Sequence, residues 1–97
     1  MTKEEILSLP LYKQQELVVV TDSPKVLDIL ADPKNFTLKV FVASNVYVSV
    51  ETLWKLYYED NVLIGYIIAN PNAPEELVLE WNAEQWFIRK PLLKLVH

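Results

Sequence analysis

Acidic side chains are the groups in this sequence whose spacing points to chemistry. Between Lys55 and Arg89 the chain has no basic residue, and six acidic residues fall in that interval: Glu59, Asp60, Glu75, Glu76, Glu80 and Glu84. On one helix Glu76, Glu80 and Glu84 would stand in an i, i+4, i+8 row, where each like-charge pair costs about 0.3 kcal/mol. Such a row indicates a surface for a basic partner, and a solvated face that keeps the protein soluble is the alternative.

The sequence lacks the residue types that common catalytic and metal-binding sites require. The chain has no Cys, one Gly and one His, which is the final residue His97. Thiol catalysis, zinc sites, Ser-His-Asp triads and glycine-rich phosphate loops are therefore excluded. Glu75 and Glu76 would point about 100° apart on a helix, so they do not converge on one substrate atom or ion. The sequence predicts a protein that is not an enzyme and has no cofactor and no metal site.

Aromatic side chains accompany the acids. Trp54 and Tyr58 are four residues apart, and Trp and Tyr are the residues that most often anchor protein interfaces. Exposure is expected for Tyr47, Trp54 and Tyr58, and burial in the core for Leu53, Leu56, Tyr57, Leu77 and Trp81. The predicted partner-binding residues are Tyr47, Trp54, Tyr58, Glu59, Asp60, Glu76, Glu80 and Glu84.

Turn and cap signals recur about every 25 residues and indicate the elements that carry these side chains. The dipeptides at 23–24, 48–49 and 73–74 each precede an apolar segment, and Ser23-Pro24 has the residue types of an N-cap and a first helical position. Each unit consists of two short apolar elements separated by a polar corner, at residues 32–35 and 59–61. Matching leucines follow the dipeptides: Leu27, Leu53 and Leu77.

The segments between these markers repeat as well. Residues 38–45 match residues 63–70, and the two copies end in Asn45 and Asn70. Because Asn tolerates left-handed backbone, both residues are expected to end their helices in that conformation. Gly65 lies in the second copy, where it is expected to allow one helix to pack closely against its neighbour.

These residues resemble a known family. Pro24-Lys25-Val26-Leu27 with Leu30-Ala31-Asp32-Pro33, and above all Ala69-Asn70-Pro71-Asn72-Ala73-Pro74-Glu75-Glu76-Leu77, are similar to the leucine-rich repeat variant (LRV) family of bacterial proteins. The similarity covers roughly residues 17–82, and the middle unit departs from it at residues 45–49, where the family has an Asn-Pro turn. The resemblance implies a right-handed α-solenoid of short stacked helices. The cysteine-bound cluster of some family members has no ligands here.

The repeat predicts an all-α protein that forms a single domain over residues 1–97. About three 25-residue, two-helix repeats span residues 17–82, with an N-terminal cap at 1–16 and a C-terminal cap at 83–97. Thr2 to Glu5 form a capping-box sequence that opens the N-terminal cap. Period-two alternation favours a different fold, an α+β domain with three strands at residues 17–20, 36–50 and 62–68.

Two functions fit this surface. The first is a non-catalytic protein–protein interaction module that binds its partner through aromatic and acidic side chains. The second is a small acidic inhibitor, of the phage or mobile-element type, that occupies the basic nucleic-acid groove of a host protein. A formal net charge of −4 argues against direct nucleic-acid binding.

The remaining expectations concern location and assembly. The longest apolar run, Val62 to Ala69, is too short for a membrane span, and acids stand at the N-terminus where a signal peptide is apolar. A cytoplasmic protein is therefore expected, either a monomer or a homodimer.

Overall fold

The computed structural model describes residues 1–83, which form short helices joined by tight turns. No strand occurs in this part of the chain, so the predicted all-α class is confirmed and the three-stranded alternative is wrong. The helices are α1 (Lys3–Ser8), α2 (Leu11–Val20), α3 (Pro24–Leu30), α4 (Phe36–Ser44), α5 (Val50–Glu59), a 3₁₀ turn (Asn61–Leu63), α6 (Ile64–Ala69) and α7 (residues 75–83).

Most of the strand-like segment, residues 36–44, forms the helix α4, which is apolar on most sides, and residues 45–49 form the turn that follows it. The side chain of Asn35 accepts a hydrogen bond from the backbone N–H of Leu38 and starts α4. Leu38 and Val42 are fully buried four residues apart, as one face of a helix requires. Burial between neighbouring helices outweighs the modest β preference of these side chains.

Side-chain caps fix where the other helices begin. Thr2 and Glu5 form the predicted capping box, in which the Thr2 hydroxyl accepts from the Glu5 N–H at 3.2 Å. Ser23 accepts from the Val26 N–H, and Pro24 takes the first helical position as predicted. Ser49 caps α5 in the same way. These polar groups satisfy backbone donors that the helices cannot satisfy themselves.

The helices stack in two layers. α1 packs on α3 in one layer, while α2 packs on α4 and α4 on α6 in the other. We call α1, α3, α5 and α7 the odd layer, and α2, α4 and α6 the even layer. The core lies between the layers, and the three predicted repeat leucines are all fully buried there: Leu27, Leu53 and Leu77.

The predicted boundary between the N-terminal cap and the repeats does not coincide with the end of a helix. The division between residues 16 and 17 falls inside α2, which packs on α4 as α4 packs on α6. Residues 84–97, nearly all of the predicted C-terminal cap, lie outside the described residues. The right hand of the solenoid and the LRV assignment stay predictions.

Asparagine side chains join successive even-layer helices at their C-terminal ends. The Asn70 amide donates to the backbone carbonyls of Ala43, at 2.7 Å, and Asn45, at 2.9 Å. One unit earlier the Asn45 amide donates to the carbonyls of Val18 and Thr21, both at 3.1 Å. Each amide therefore satisfies two carbonyl groups at the open end of the helix before it.

The left-handed conformation predicted for these asparagines is wrong. Asn45 and Asn70 both have extended backbone, with φ of −76° and −72°, and no residue of the described chain has positive φ. Their side-chain oxygens instead accept from the N–H two residues on, at Tyr47 and Asn72. The asparagines are required for their side-chain hydrogen bonds rather than for backbone freedom.

The predicted packing role of Gly65 is also wrong. Gly65 lies on the exposed side of α6, and a Cβ atom placed there would meet nothing within 4 Å. The close approach of α4 and α6 is made by other residues.

We predict that Asn70→Ala lowers the free energy of unfolding by about 2 kcal/mol, because it leaves the buried carbonyl of Ala43 without its donor and removes one of the two donors to the carbonyl of Asn45. Asn82→Ala, which alters an exposed residue of α7, is the matched control and is expected to stay within about 0.5 kcal/mol of the parent. Urea unfolding followed by circular dichroism measures both changes. Equal stability of the two variants would contradict the proposed role of the Asn70 amide.

Candidate interaction surfaces

The outer side of the odd layer carries ion pairs that connect successive units. Asp32, in the corner after α3, accepts a hydrogen bond from Lys55 of α5 and lies 3.6 Å from the Lys3 ammonium of α1. The hydrogen bond from Lys55 lowers the pKa of Asp32, and the same bond raises the pKa of Lys55. The Thr52 hydroxyl of α5 adds a further contact between units by donating a hydrogen bond to the Asp28 carboxylate of α3 at 3.0 Å.

Two of the predicted binding acids serve structural roles at the corner after α5. Glu59 pairs with the Lys39 ammonium at 3.1 Å, and Lys39 also donates to the carbonyl of Ala31 at 2.7 Å. Asp60 accepts from the backbone N–H of Val62 and caps the 3₁₀ turn. Both acids line a shallow groove together with Lys39, so their charge is partly compensated.

The aromatic residues of α5 form a cluster that reaches α7. The Trp54 and Tyr58 rings stack with centroids 5.7 Å apart, and Tyr57 packs edge-on against both. The Tyr58 hydroxyl donates to the Glu80 carboxylate, with both oxygens at 3.2 Å. Tyr58 is nevertheless 68% exposed, so most of an immobilised ring faces solvent.

The structure brings together only part of the predicted partner-binding set. Trp54, Tyr58 and Glu80 meet in this cluster, and Glu76 lies exposed one turn earlier on α7. We call these four residues the α5–α7 patch. The residues placed elsewhere are Glu59 and Asp60, at the corner groove, and Tyr47, in the turn after α4. Glu84 lies outside the described residues.

The predicted exposure is confirmed for two of the three aromatic residues. Tyr58 and Tyr47 are exposed, the latter by 54%. Trp54 is half-buried, because its indole packs against the core as well as on Tyr58, so its predicted exposure is wrong. Of the predicted core residues, Leu53, Leu56, Tyr57 and Leu77 are buried and Trp81 is partly buried against them.

A second surface, on the outer side of the even layer, was not predicted from the sequence. Tyr12, Val19 and Val20 of α2, Phe41 of α4 and Tyr66 of α6 are all exposed there, and we call these five residues the apolar face. A groove of about 310 Å³ between α2 and α4 runs into a neighbouring depression, and Val19, Val20 and Phe41 line both. Within residues 1–83, Glu16 is the one charged residue that lines these depressions.

The repeat itself carried a signal for this surface. Glu16, Phe41 and Tyr66 are spaced by 25 residues and occupy equivalent outward positions on α2, α4 and α6. Listing the residues of each unit by position would have grouped them. The signal is weak without the structure, because the same residues also suit a buried helix.

Comparison of the chain with protein-family models, curated proteins and solved structures found no match. Over residues 1–83 there is no cluster of three acidic or histidine side chains with the geometry of a metal site. No helix of that same stretch combines the length and apolar character needed to cross a bilayer. The two exposed surfaces are therefore the features on which a function can be argued.

We predict that Asp32→Asn lowers stability at neutral pH by less than about 1 kcal/mol, since the ion pairs of Asp32 are partly exposed. The depressed pKa of Asp32 means that its contribution is present above the ordinary value of 3.8 and is lost as pH falls through the lower folded-state pKa. The difference in stability between parent and variant should therefore shrink as the solution is acidified below about pH 4.

Urea unfolding at a series of pH values measures this difference. Asp22→Asn, which removes an exposed carboxylate from the turn before α3, is the control. A difference between parent and Asp32→Asn that grows on acidification would contradict the assigned ion pairs.

Proposed function

We propose that the protein is a non-catalytic interaction module that binds a partner protein through the α5–α7 patch. The observation that carries the proposal is Tyr58, whose exposed ring is stacked on Trp54 and hydrogen-bonded to Glu80. A tyrosine already fixed in place loses little side-chain entropy when a partner covers it, so more of the contact energy appears as affinity. Fixed, exposed aromatic residues are typical anchors of protein interfaces.

The charges around Tyr58 favour a partner with basic residues. Glu76 is exposed and Glu80 accepts from Tyr58, which leaves the carboxylate oxygens available for further donors. An arginine of the partner suits this arrangement, because a guanidinium can lie on an aromatic ring while it donates to a carboxylate. The formal charge of −4 adds long-range attraction to such a surface.

The inhibitor hypothesis has less support. An acidic mimic of nucleic acid needs a row of uncompensated carboxylates, whereas Glu59 is paired with Lys39 and Asp60 caps the 3₁₀ turn. The stacking of Tyr58 on Trp54 and its hydrogen bond to Glu80 support an interface anchored by aromatic residues, with acidic residues at its border. The inhibitor therefore remains a prediction from the sequence alone.

The family assignment belongs to the same proposal. Equivalent hydrogen bonds from Asn45 and Asn70 reach back 24 to 27 residues, as stacked repeats of about 25 residues require. These bonds support a solenoid of LRV type, in which neighbouring units align their outer side chains into one binding surface.

We predict that Tyr58→Ala abolishes capture of the partner, while Glu76→Lys with Glu80→Lys weakens it. Tagged protein is used to capture partners from a lysate of the native host at about 50 and 300 mM salt, and captured proteins are compared by mass spectrometry. Loss with Tyr58→Ala and a modest salt effect are expected, because the aromatic contact is apolar and only its border is charged.

The control variant carries Glu4→Lys and Asp22→Lys, which change the net charge by the same amount at exposed residues outside the patch. This control should capture the same protein as the parent. The aromatic anchor would be contradicted if Tyr58→Ala still captured the partner while the Glu76/Glu80 and Glu4/Asp22 double variants both lost it equally. That result would indicate nonspecific charge attraction.

A further inference from the structure

The apolar face lies on the opposite layer from the α5–α7 patch and needs a separate explanation. Val20 is 77% exposed and Tyr12 is 60% exposed, although burial of their apolar surface would be favourable. The exposed residues come from three helices. The two depressions share lining residues of α2 and α4, and Tyr66 of α6 lines a third depression that shares Ser44 with the groove, so the surface is continuous. Apolar patches that extend over several elements mark interaction sites in soluble proteins.

We propose that the apolar face is the interface of a homodimer, in which the even layers of two copies pack against each other. The proposal is independent of the partner bound by the α5–α7 patch. Such a dimer presents two copies of the α5–α7 patch, one on each outer side.

The area of the apolar face is sufficient for a dimer. Together with the adjoining Val46 and Tyr47, its residues expose roughly 700 Å², close to the roughly 800 Å² that each partner of a standard-size interface buries. Tyr47 stands beside the groove between α2 and α4, so each copy presents both an aromatic side chain and a recess. A two-fold interface requires this combination, since one surface has to complement itself.

Charge favours a second copy over a charged partner. Two chains with a formal charge of −4 repel each other, and a stable contact between them needs a surface that brings few charges together. In the described part of the chain, the depressions of the even layer have Glu16 as their one charged lining residue, at the edge beside Tyr12. The odd layer, with Asp28, Asp32 and Glu59 on its outer side, lacks this property.

Sedimentation equilibrium of the full chain over about 1 μM to 1 mM tests the proposal. The parent is expected to dimerise with a concentration-dependent mass, and Val20→Lys and Phe41→Glu are expected to weaken association at least tenfold. Val20→Lys decides the result if Phe41→Glu fails to fold, because Val20 is the most exposed of these side chains and its replacement disturbs no core contact.

Two control variants place a charge on other exposed side chains. Tyr58→Glu alters the α5–α7 patch and Leu79→Glu alters α7, so both should dimerise like the parent. A parent that is monomeric at every concentration would overturn the proposal. So would a dimer that survives Val20→Lys and dissociates with Leu79→Glu, because copies would then meet through α7.

The position of the interface can be measured directly because the chain has no Cys. A spin label on Val20→Cys should give distances between the two copies that double electron–electron resonance can measure. This dipolar signal should disappear when labelled protein is diluted with unlabelled protein. A label on Glu51→Cys, an exposed residue of α5 in the odd layer, should report longer distances. Shorter distances from the odd-layer label would contradict the arrangement.

Discussion

The architecture depends on hydrogen bonds from asparagine side chains to the carbonyl ends of the preceding helices. A helix of six to ten residues leaves almost as many carbonyl groups unsatisfied as it satisfies, so stacking such helices is costly unless another group donates to their ends. The amides of Asn45 and Asn70 do so for α2 and α4, and they fix the register of one unit on the next. Thr21 occupies the corresponding place at the end of α2, where its hydroxyl accepts from the Ser23 N–H. The carbonyls of Ile6 and Leu7 at the end of α1 accept instead from the Gln14 amide.

Stacking in two layers separates the chemistry of the two outer surfaces. Asp28 accepts a hydrogen bond from Thr52 and Asp32 pairs with Lys55, and these contacts connect units across the odd layer. Their partial exposure to water keeps the desolvation cost of the charges low. The even layer is held by the asparagine amides near its helix ends, so its outer positions are not required to be polar. One short chain thereby presents a charged surface with a fixed aromatic cluster and a second surface that is almost uncharged.

The sequence predicted the parts of this fold that depend on local chemistry. Caps at Thr2, Ser23 and Ser49 involve groups three residues apart, so residue type alone identifies them. The buried leucines followed from the repeat. The alternation of apolar residues at 36–50 wrongly predicted a strand. The helices that bury α4 on several sides lie about 25 residues away in sequence, so the local pattern does not reveal them.

The candidate surfaces were harder to predict because they depend on which side of each helix a neighbour covers. Tyr47 and Tyr58 are both exposed tyrosines, yet one borders the even-layer groove and the other stacks on Trp54. Glu59 was predicted to bind a partner protein, and its pairing with Lys39 was missed because Lys39 lies 20 residues earlier on another helix. The apolar face was missed because Val19, Val20 and Phe41 have the residue types of a core.

The most direct test of the account is hydrogen exchange of the asparagine side-chain amides, measured by nuclear magnetic resonance on the folded protein. If these amides bridge successive helices, those of Asn45 and Asn70 will exchange far more slowly than the exposed amide of Asn82. Equal exchange at all three residues would show that the units are not joined in this way, and the separation of the two surfaces would lose its structural basis.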